Sequence, residues 1–321
     1  PNNALASWSL SAPNCCSWNG VTCDGTTGRV VSLDISQSSL NGSVSRSLGS
    51  LSALQLLKLY GNTFAGTSIP SSIGNLPSLR KLCLSSCGFS GSIPSSLGRL
   101  ASLQMLDLSY NSLSGSLPSS IGNMKSLQHL RIYNNKIGGA IPASFARLSN
   151  LYNADLANNR LSGRIPDSFN AAGGLVSLLY LFLENNRITG LPADLSNLKR
   201  LQWVVLENNP IRRLGNVAGL LTAPQLVQLE LSNCGLTGSG LGAWLTPGFP
   251  RANTALLSDE VTPSISLANN ALKGSIPRNI GSLLPDYIEG LDFSNNGFSG
   301  KIPSSIANLT SLRFLELDQN K

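Results

Sequence analysis

The chain has 321 residues, 41% of them hydrophobic and only 12% charged, with a net charge of +7. That charge is spread thinly, without a Lys/Arg run, so a nucleic-acid groove is not expected, and the excess of positive charge reads as solubility or as weak affinity for acidic polymers. No apolar run approaches the roughly 18 residues of a membrane span, so a membrane link is expected only through a C-terminal segment beyond Lys321.

In chain order, residues 1–29 carry no repeat and hold three of the six cysteines, Cys15, Cys16 and Cys23. A dense cysteine cluster at one edge of a chain points to disulfides and an oxidising compartment. The sequons Asn41-Gly42-Ser43 and Asn308-Leu309-Thr310 agree with secretion and mark Asn41 and Asn308 as glycosylation candidates. With no signal peptide before Pro1, the chain reads as a mature fragment or an ectodomain.

From Val30 onward one unit recurs: L-x-x-L-x-L-x-x-N-x-L-x-G-x-(I/L)-P-x-x-(I/L)-x-x-(L/M)-x-x, with Leu103–Ser126 as its most regular copy. About eleven full copies start at Val30, Leu54, Leu79, Leu103, Leu127, Leu151, Leu178, Leu201, Leu226, Thr262 and Ile288, and a twelfth begins at Leu312. A copy of this size cannot bury its own leucines and is stable only between stacked neighbours, so residues 30–321 are expected to form an α/β solenoid. The x-x-L-x-L-x segment alternates, which sends leucines inward and the x residues to the opposite face of a strand; stacked strands then form a parallel, concave β-sheet. The recurring asparagines Asn62, Asn111, Asn135, Asn159, Asn186, Asn209, Asn270 and Asn296 point inward at a turn, where their amides must be satisfied by neighbouring backbone. Cys87 and Cys234 take that position in two copies and read as small buried thiols. Cys83, between two leucines, faces the groove as either an inert or a reactive thiol.

Three copies depart from the unit. The sixth is longer around Ala171–Gly174. The eighth, ENNPIRRLGNVAGLLTAPQ, lacks Gly-x-Ile-Pro. The ninth runs to Val261, about a dozen residues over length, so the stretch 201–261 is irregular. Its insertion reads either as a functional loop or as tolerated irregularity. Trp244 and Phe249 either anchor it to the body or anchor a partner to it.

Catalysis finds no support. His129 is the single histidine, and no nucleophile elbow, phosphate loop or metal-spaced cluster is present, so the chain is expected to be no enzyme and to need no cofactor or metal. Carboxylates recur between copies only because strand spacing repeats them. The informative residues are the large ones on the outward strand positions: Tyr110, His129, Arg131, Tyr133 and Asp155, then Tyr180, Phe182, Glu184, Trp203, Val205, Glu207 and Glu230. An open sheet face does not need exposed aromatics for folding. Either they form a locally acidic binding surface for a basic partner, or they pack on one another or on the long loop of the ninth copy. On the first reading, removing Phe182 and Trp203 abolishes binding and leaves the melting temperature nearly unchanged.

The run Cys15-Cys16-Ser17-Trp18-Asn19-Gly20-Val21-Thr22-Cys23-Asp24, preceded by Leu5-Ala6-Ser7-Trp8, resembles the N-terminal cap of plant extracellular leucine-rich-repeat proteins. The Ser-Gly-x-Ile-Pro segments resemble the plant-specific class of that repeat, and the resemblance covers essentially the whole chain. It implies a right-handed leucine-rich-repeat superhelix with a second short sheet on the convex side. It implies a Cys16–Cys23 disulfide, with Cys15 pairing to a missing upstream cysteine. It also implies the ectodomain of a receptor-like kinase or receptor-like protein in the apoplast or on the outer side of the plasma membrane. Such an ectodomain would bind a peptide or protein on the concave face, with a co-receptor as a further partner. The Arg-x-Arg pair by which many such receptors grip a free carboxylate is absent, since Arg212-Arg213 lies beyond a strand. The alternative within the family is a polygalacturonase-inhibitor-like protein whose partner is a secreted polygalacturonase.

Overall fold

A computed structural model describes residues 5, 7–9, 14–246, 248–257 and 261–321. Residues 1–4, 6 and 10–13 of the expected cap, and 247 and 258–260 of the expected insertion, lie outside the described residues. The chain forms two compact units, residues 1–159 and 160–321.

The first unit opens on the cap. Asn14 starts a short 3-10 turn over Cys15–Ser17 by accepting a hydrogen bond from the Cys16 amide. A disulfide joins Cys16 to Cys23. Strand Val21–Cys23, which carries the second of those cysteines, pairs antiparallel with Val30–Asp34 and so lays the cap along the first repeat. Trp8 stacks on Trp18 with ring centroids 4.9 Å apart. From Val30–Asp34 the strands are parallel and in simple register, each copy adding one: Leu56–Lys58, Lys81–Cys83, Met105–Asp107, His129–Arg131 and Asn153–Asp155. Their central residues Leu33, Leu57, Leu82, Leu106, Leu130 and Ala154 are buried.

Behind the sheet, proline fixes φ and ends the second strand. A 3-10 turn follows in each copy at Ser71–Asn75, Ser95–Arg99, Ser119–Asn123 and Ala143–Arg147. The expected α layer is therefore mostly 3-10. A copy of about 24 residues leaves only one such turn between its proline and the next strand, too few for an α-helix of ordinary length. Close stacking of Ser119–Asn123 on Ala143–Arg147 requires glycine at Gly122, where a Cβ would lie 2.0 Å from the carbonyl oxygen of Ser144.

The inward asparagines hold the copies together. Asn111 Oδ1 accepts from the amides of Cys87 and Phe89 in the copy before it, at 3.2 and 2.9 Å, and its Nδ2 donates to the carbonyls of Leu84 and Leu108. Where the copy has Cys87 instead, the thiol still donates to Leu59 O, at 3.0 Å. The accepting half of the pattern moves to the backbone, and the Phe64 amide bonds the carbonyl of Cys87 at 2.7 Å.

The second unit repeats this plan with strands Tyr180–Phe182, Trp203–Val205, Gln228–Glu230, Ser264–Ser266, Gly290–Asp292 and Phe314–Glu316 in parallel register. Its second layer has one strand pair, Arg160–Arg164 with Arg187–Gly190, and a separate set, Thr237–Gly238, Ala271–Gly274 and Gly297–Phe298. Between them the eighth copy has a nine-residue 3-10 segment, Leu214–Thr222, in place of a strand. The missing Gly-x-Ile-Pro thus breaks the second sheet where expected. The insertion of the ninth copy contains a short helix, Leu241–Leu245. Trp244 and Phe249 are both buried, which settles their role as anchors to the body. Tyr287 reinforces them, its hydroxyl donating to Pro250 O and accepting from the Ala252 amide, both at 2.9 Å.

The ladder predicts a graded response at Asn209, which is 2% exposed and bonds Ile188 N, Leu183 O and Leu206 O. Asn209→Ala orphans these groups and should lower stability by about 3–5 kcal/mol. Asn209→Cys, the native solution at two other copies, should cost roughly half as much because the thiol keeps a donor. Urea unfolding followed by circular dichroism checks the order; equal losses for the two variants would contradict it.

Candidate ligand-binding face

In the first unit the strand register builds rows of facing side chains. Asp34 faces Lys58, and Asp107, Arg131 and Asp155 face one another in turn. Lys58 Nζ lies 3.3 Å from the Asp34 carboxylate. Carboxylates therefore alternate with cations, and this row is nearly neutral. Asp155 is half-buried, and that burial pushes its carboxyl up to about 6, against the opposing pull of the Ala157 amide and Arg131. His129 is held below its ordinary value by burial and then by Arg131, and its ring lies 5.7 Å from that of Tyr152. Burial and then the Asp107 charge raise the Cys83 thiol, against Lys58 and Lys81, a direction that favours the inert reading.

Tyr110 and Tyr133 form an edge-to-face pair with centroids 5.1 Å apart. Tyr110 is 54% exposed. It also has φ +52° at a turn position where other copies place Asn134, Asn158, Asn185 or Asn208 in the same left-handed conformation. Asparagine adopts that conformation readily, whereas a bulky aromatic does so at a cost.

In the second unit the structure corrects two expected exposures. Tyr180 is 4% exposed and Val205 is 8% exposed. For Tyr180 the cause is mutual packing: Phe182 meets Trp203 edge-on at 5.0 Å, and Tyr180 stacks on Phe182 and meets Trp203 edge-on, both at 6.2 Å. Val205 lies between Phe182 and Glu230 in the register. Only Phe182 and Trp203 remain half-buried, so the accessible aromatic surface is smaller than the sequence suggests. Because the ring cluster is self-supporting, Phe182→Ala should cost about 1–3 kcal/mol of stability rather than none. Thermal melting of the single variant checks this, and an unchanged melting temperature would contradict it.

Glu184, Glu207 and Glu230 follow along the same face. A recess of about 440 Å³ lies beyond the rings, lined by Glu207, Glu230, Asp292, Phe314 and Glu316 among others. Sequence reasoning stopped at the ninth copy and missed Asp292, Phe314 and Glu316. The signal was present, since each occupies an outward strand position, and the small Ser264 and Gly290 between them leave the room. Burial pushes the Glu230 carboxyl up to about 7, with the neighbouring Glu207 and Asp292 charges adding to it and Gln228 and Ser264 opposing. Among the described residues the one cluster close enough to hold a metal is Cys15, Cys16 and Cys23, and two of its three sulfurs are already bonded to each other.

Leucine-rich-repeat family models match most of the chain: the N-terminal domain over residues 1–24, the leucine-rich repeat region over 29–165, and further leucine-rich repeats over 149–211 and 287–309. The chain belongs to the leucine-rich-repeat proteins, in the class found in plant receptor kinases and receptor-like proteins. It is 45% identical to phytosulfokine receptor 1 of Arabidopsis thaliana over 84 residues, which are 26% of this chain and 8% of that receptor. Its structure is similar to that of PEPR1 with AtPEP1, at a TM-score of 0.74 and 30% identity, covering 100% of this chain and 46% of that one. It is also similar to a plant ice-binding protein, at a TM-score of 0.65 and 26% identity, covering 98% of this chain and 89% of that one. The chain thus spans less than half of the PEPR1 chain, and its matched stretch under a tenth of the phytosulfokine receptor. Among the described residues no helix is long and apolar enough to cross a membrane.

The raised Glu230 carboxyl sets a pH dependence. Folded Glu230 holds its proton to about 7, against an ordinary value of 4.5, so the folded state binds more protons between those values. Stability contributed by this group is therefore full below about pH 4.5 and falls as pH rises through about 7, by roughly 2–3 kcal/mol. Glu230→Gln should reduce the drop in melting temperature between pH 5 and pH 8; an identical drop in both proteins would contradict the burial of this carboxylate.

Proposed function

We propose that this chain is the ligand-recognition ectodomain of a plant receptor-like kinase or receptor-like protein, which binds a peptide or protein ligand on the open face of its sheet. It acts outside the cell, in the apoplast or on the outer side of the plasma membrane, as a binding module in signalling or defence and not as an enzyme. The exposed Asn41 and Asn308 carry its glycans. A co-receptor is a further partner.

The observation that carries this reading is Tyr110. The turn it occupies favours asparagine, yet this copy presents an exposed tyrosine beside Tyr133. A side chain kept against the local preference of its backbone is accounted for by what it touches. PEPR1 with AtPEP1 adds support, because there the same repeat architecture is found together with AtPEP1. The ice-binding neighbour shows that the architecture alone does not choose the ligand.

The test is selection from a random twelve-residue peptide phage library on the immobilised chain, with titration of the selected peptides. We expect Tyr110→Asn or Phe182→Ala to weaken their binding about tenfold or more, while Tyr110→Asn melts no lower than the parent. Peptides that bind both variants as tightly as the parent would overturn the open-face assignment. Inhibition of a secreted polygalacturonase by the same sample would transfer it to the inhibitor reading.

A further inference from the structure

We propose that the open face of residues 160–321 selects a cationic peptide segment, one that presents arginine or lysine side chains. This deepens, and rests on, the reading of that face as a peptide-binding surface.

Charge complementarity on the open sheet face selects this partner. The outward strand positions of this unit hold six carboxylates, Glu184, Glu207, Glu230, Asp292, Glu316 and Asp318, and no lysine, arginine or histidine. The chain as a whole is net positive, at +7. In the first unit the same rows contain Lys58, Lys81 and Arg131, and carboxylates there face cations across the register. In the second unit, among the described residues, the hydrogen-bond partners of the Glu230 carboxylate are the neutral Gln228 and Ser264, and those of Asp292 are Ser266 and Ser294. The one ion pair of this unit among the described residues, Arg313 with Glu289, uses neither the aromatic nor the recess residues.

Neighbouring strands repeat about every 4.8 Å, so same-sign carboxylates on successive strands repel one another through a face that is partly shielded from water. Burial, joined by the Glu207 and Asp292 charges, already holds a proton on Glu230 near neutral pH. Charges introduced by a partner would relieve that repulsion, and the recess of about 440 Å³ has room for guanidinium or ammonium groups. Gln228, paired with Trp203 and Ser264 in the sheet register, adds a buried Oε1 that has no donor among the described residues. The half-buried Phe182 and Trp203 offer ring faces and edges beside these carboxylates, a setting that suits cationic side chains whose stems are apolar.

Three labelled twelve-residue peptides test this by fluorescence anisotropy. All share glycine, serine and tyrosine; one adds four arginines, one four glutamates and one four glutamines. We expect the arginine peptide to bind at least tenfold tighter than the glutamate peptide, with affinity falling as salt rises from about 50 to 300 mM. Nonspecific attraction to a net-positive chain would give the opposite order. The double variant Glu230→Gln/Asp292→Asn should lose about tenfold for the arginine peptide, and Asp107→Asn in the first unit should change it less than twofold.

Equal binding of the arginine and glutamate peptides, or full affinity in the double variant, would overturn the proposal. Saturable binding of the glutamine peptide that Phe182→Ala weakens would, in that case, leave the peptide-binding reading standing, whereas indifference of every peptide to Phe182→Ala would remove both. Stabilisation by calcium chloride alone, without preference among the peptides, would also overturn it and assign the carboxylates to a metal.

Discussion

The structure depends on one recurring constraint: an amide buried at each turn must be satisfied by backbone that belongs to a different copy. Asn111 takes two amide protons from the preceding copy and gives protons to carbonyls of that copy and its own. Asn209, at 2% exposure, takes the Ile188 amide proton and gives protons to Leu183 O and Leu206 O. Leucine packing alone would allow a copy to slide or rotate on its neighbour, because dispersion and water exclusion have little direction. The asparagine fixes the register, since a slip by one residue separates its amide from the backbone donors and the carbonyl of the preceding copy and leaves them unpaired in the core. Where the sequence substitutes cysteine, the fold keeps the donor and reassigns the acceptor, as the Phe64 amide does on Cys87 O.

Much of this was legible in the residues. The period of the unit sets the strand positions, and the inward asparagines announce the ladder. The absence of Gly-x-Ile-Pro in the eighth copy announced the gap in the second sheet, because without that turn the chain has no reason to extend there. The nature of the layer behind the sheet was less legible. Proline and the short span to the next strand select a 3-10 turn over an α-helix, a matter of length more than of composition. The insertion left its two large rings open to either role, and burial decided it, since Trp244 and Phe249 are inside.

The candidate face was legible as a set of positions but not as an exposure map. Alternation assigns Tyr180 and Val205 outward, and they do leave the leucine core. Rings on neighbouring strands are nevertheless close enough to cover one another, so outward does not mean wet. Tyr180 disappears under Phe182 and Trp203. Downstream the reverse holds, where small residues such as Ser264 and Gly290 create the recess by what they leave empty. A sheet face is shaped as much by its short side chains as by its long ones.

The two cysteines in the ladder have a consequence for how the protein can be observed. Each unit contains one such fully buried thiol, Cys87 in residues 1–159 and Cys234 in residues 160–321. Burial raises both, Cys234 up to about 12, so neither is a nucleophile while its turn is closed. A thiol-specific reagent added to the native protein can therefore reach them only through local opening, and its reaction rate reads the population of the open state. The chain carries, at matched positions in its two halves, a native clock for each.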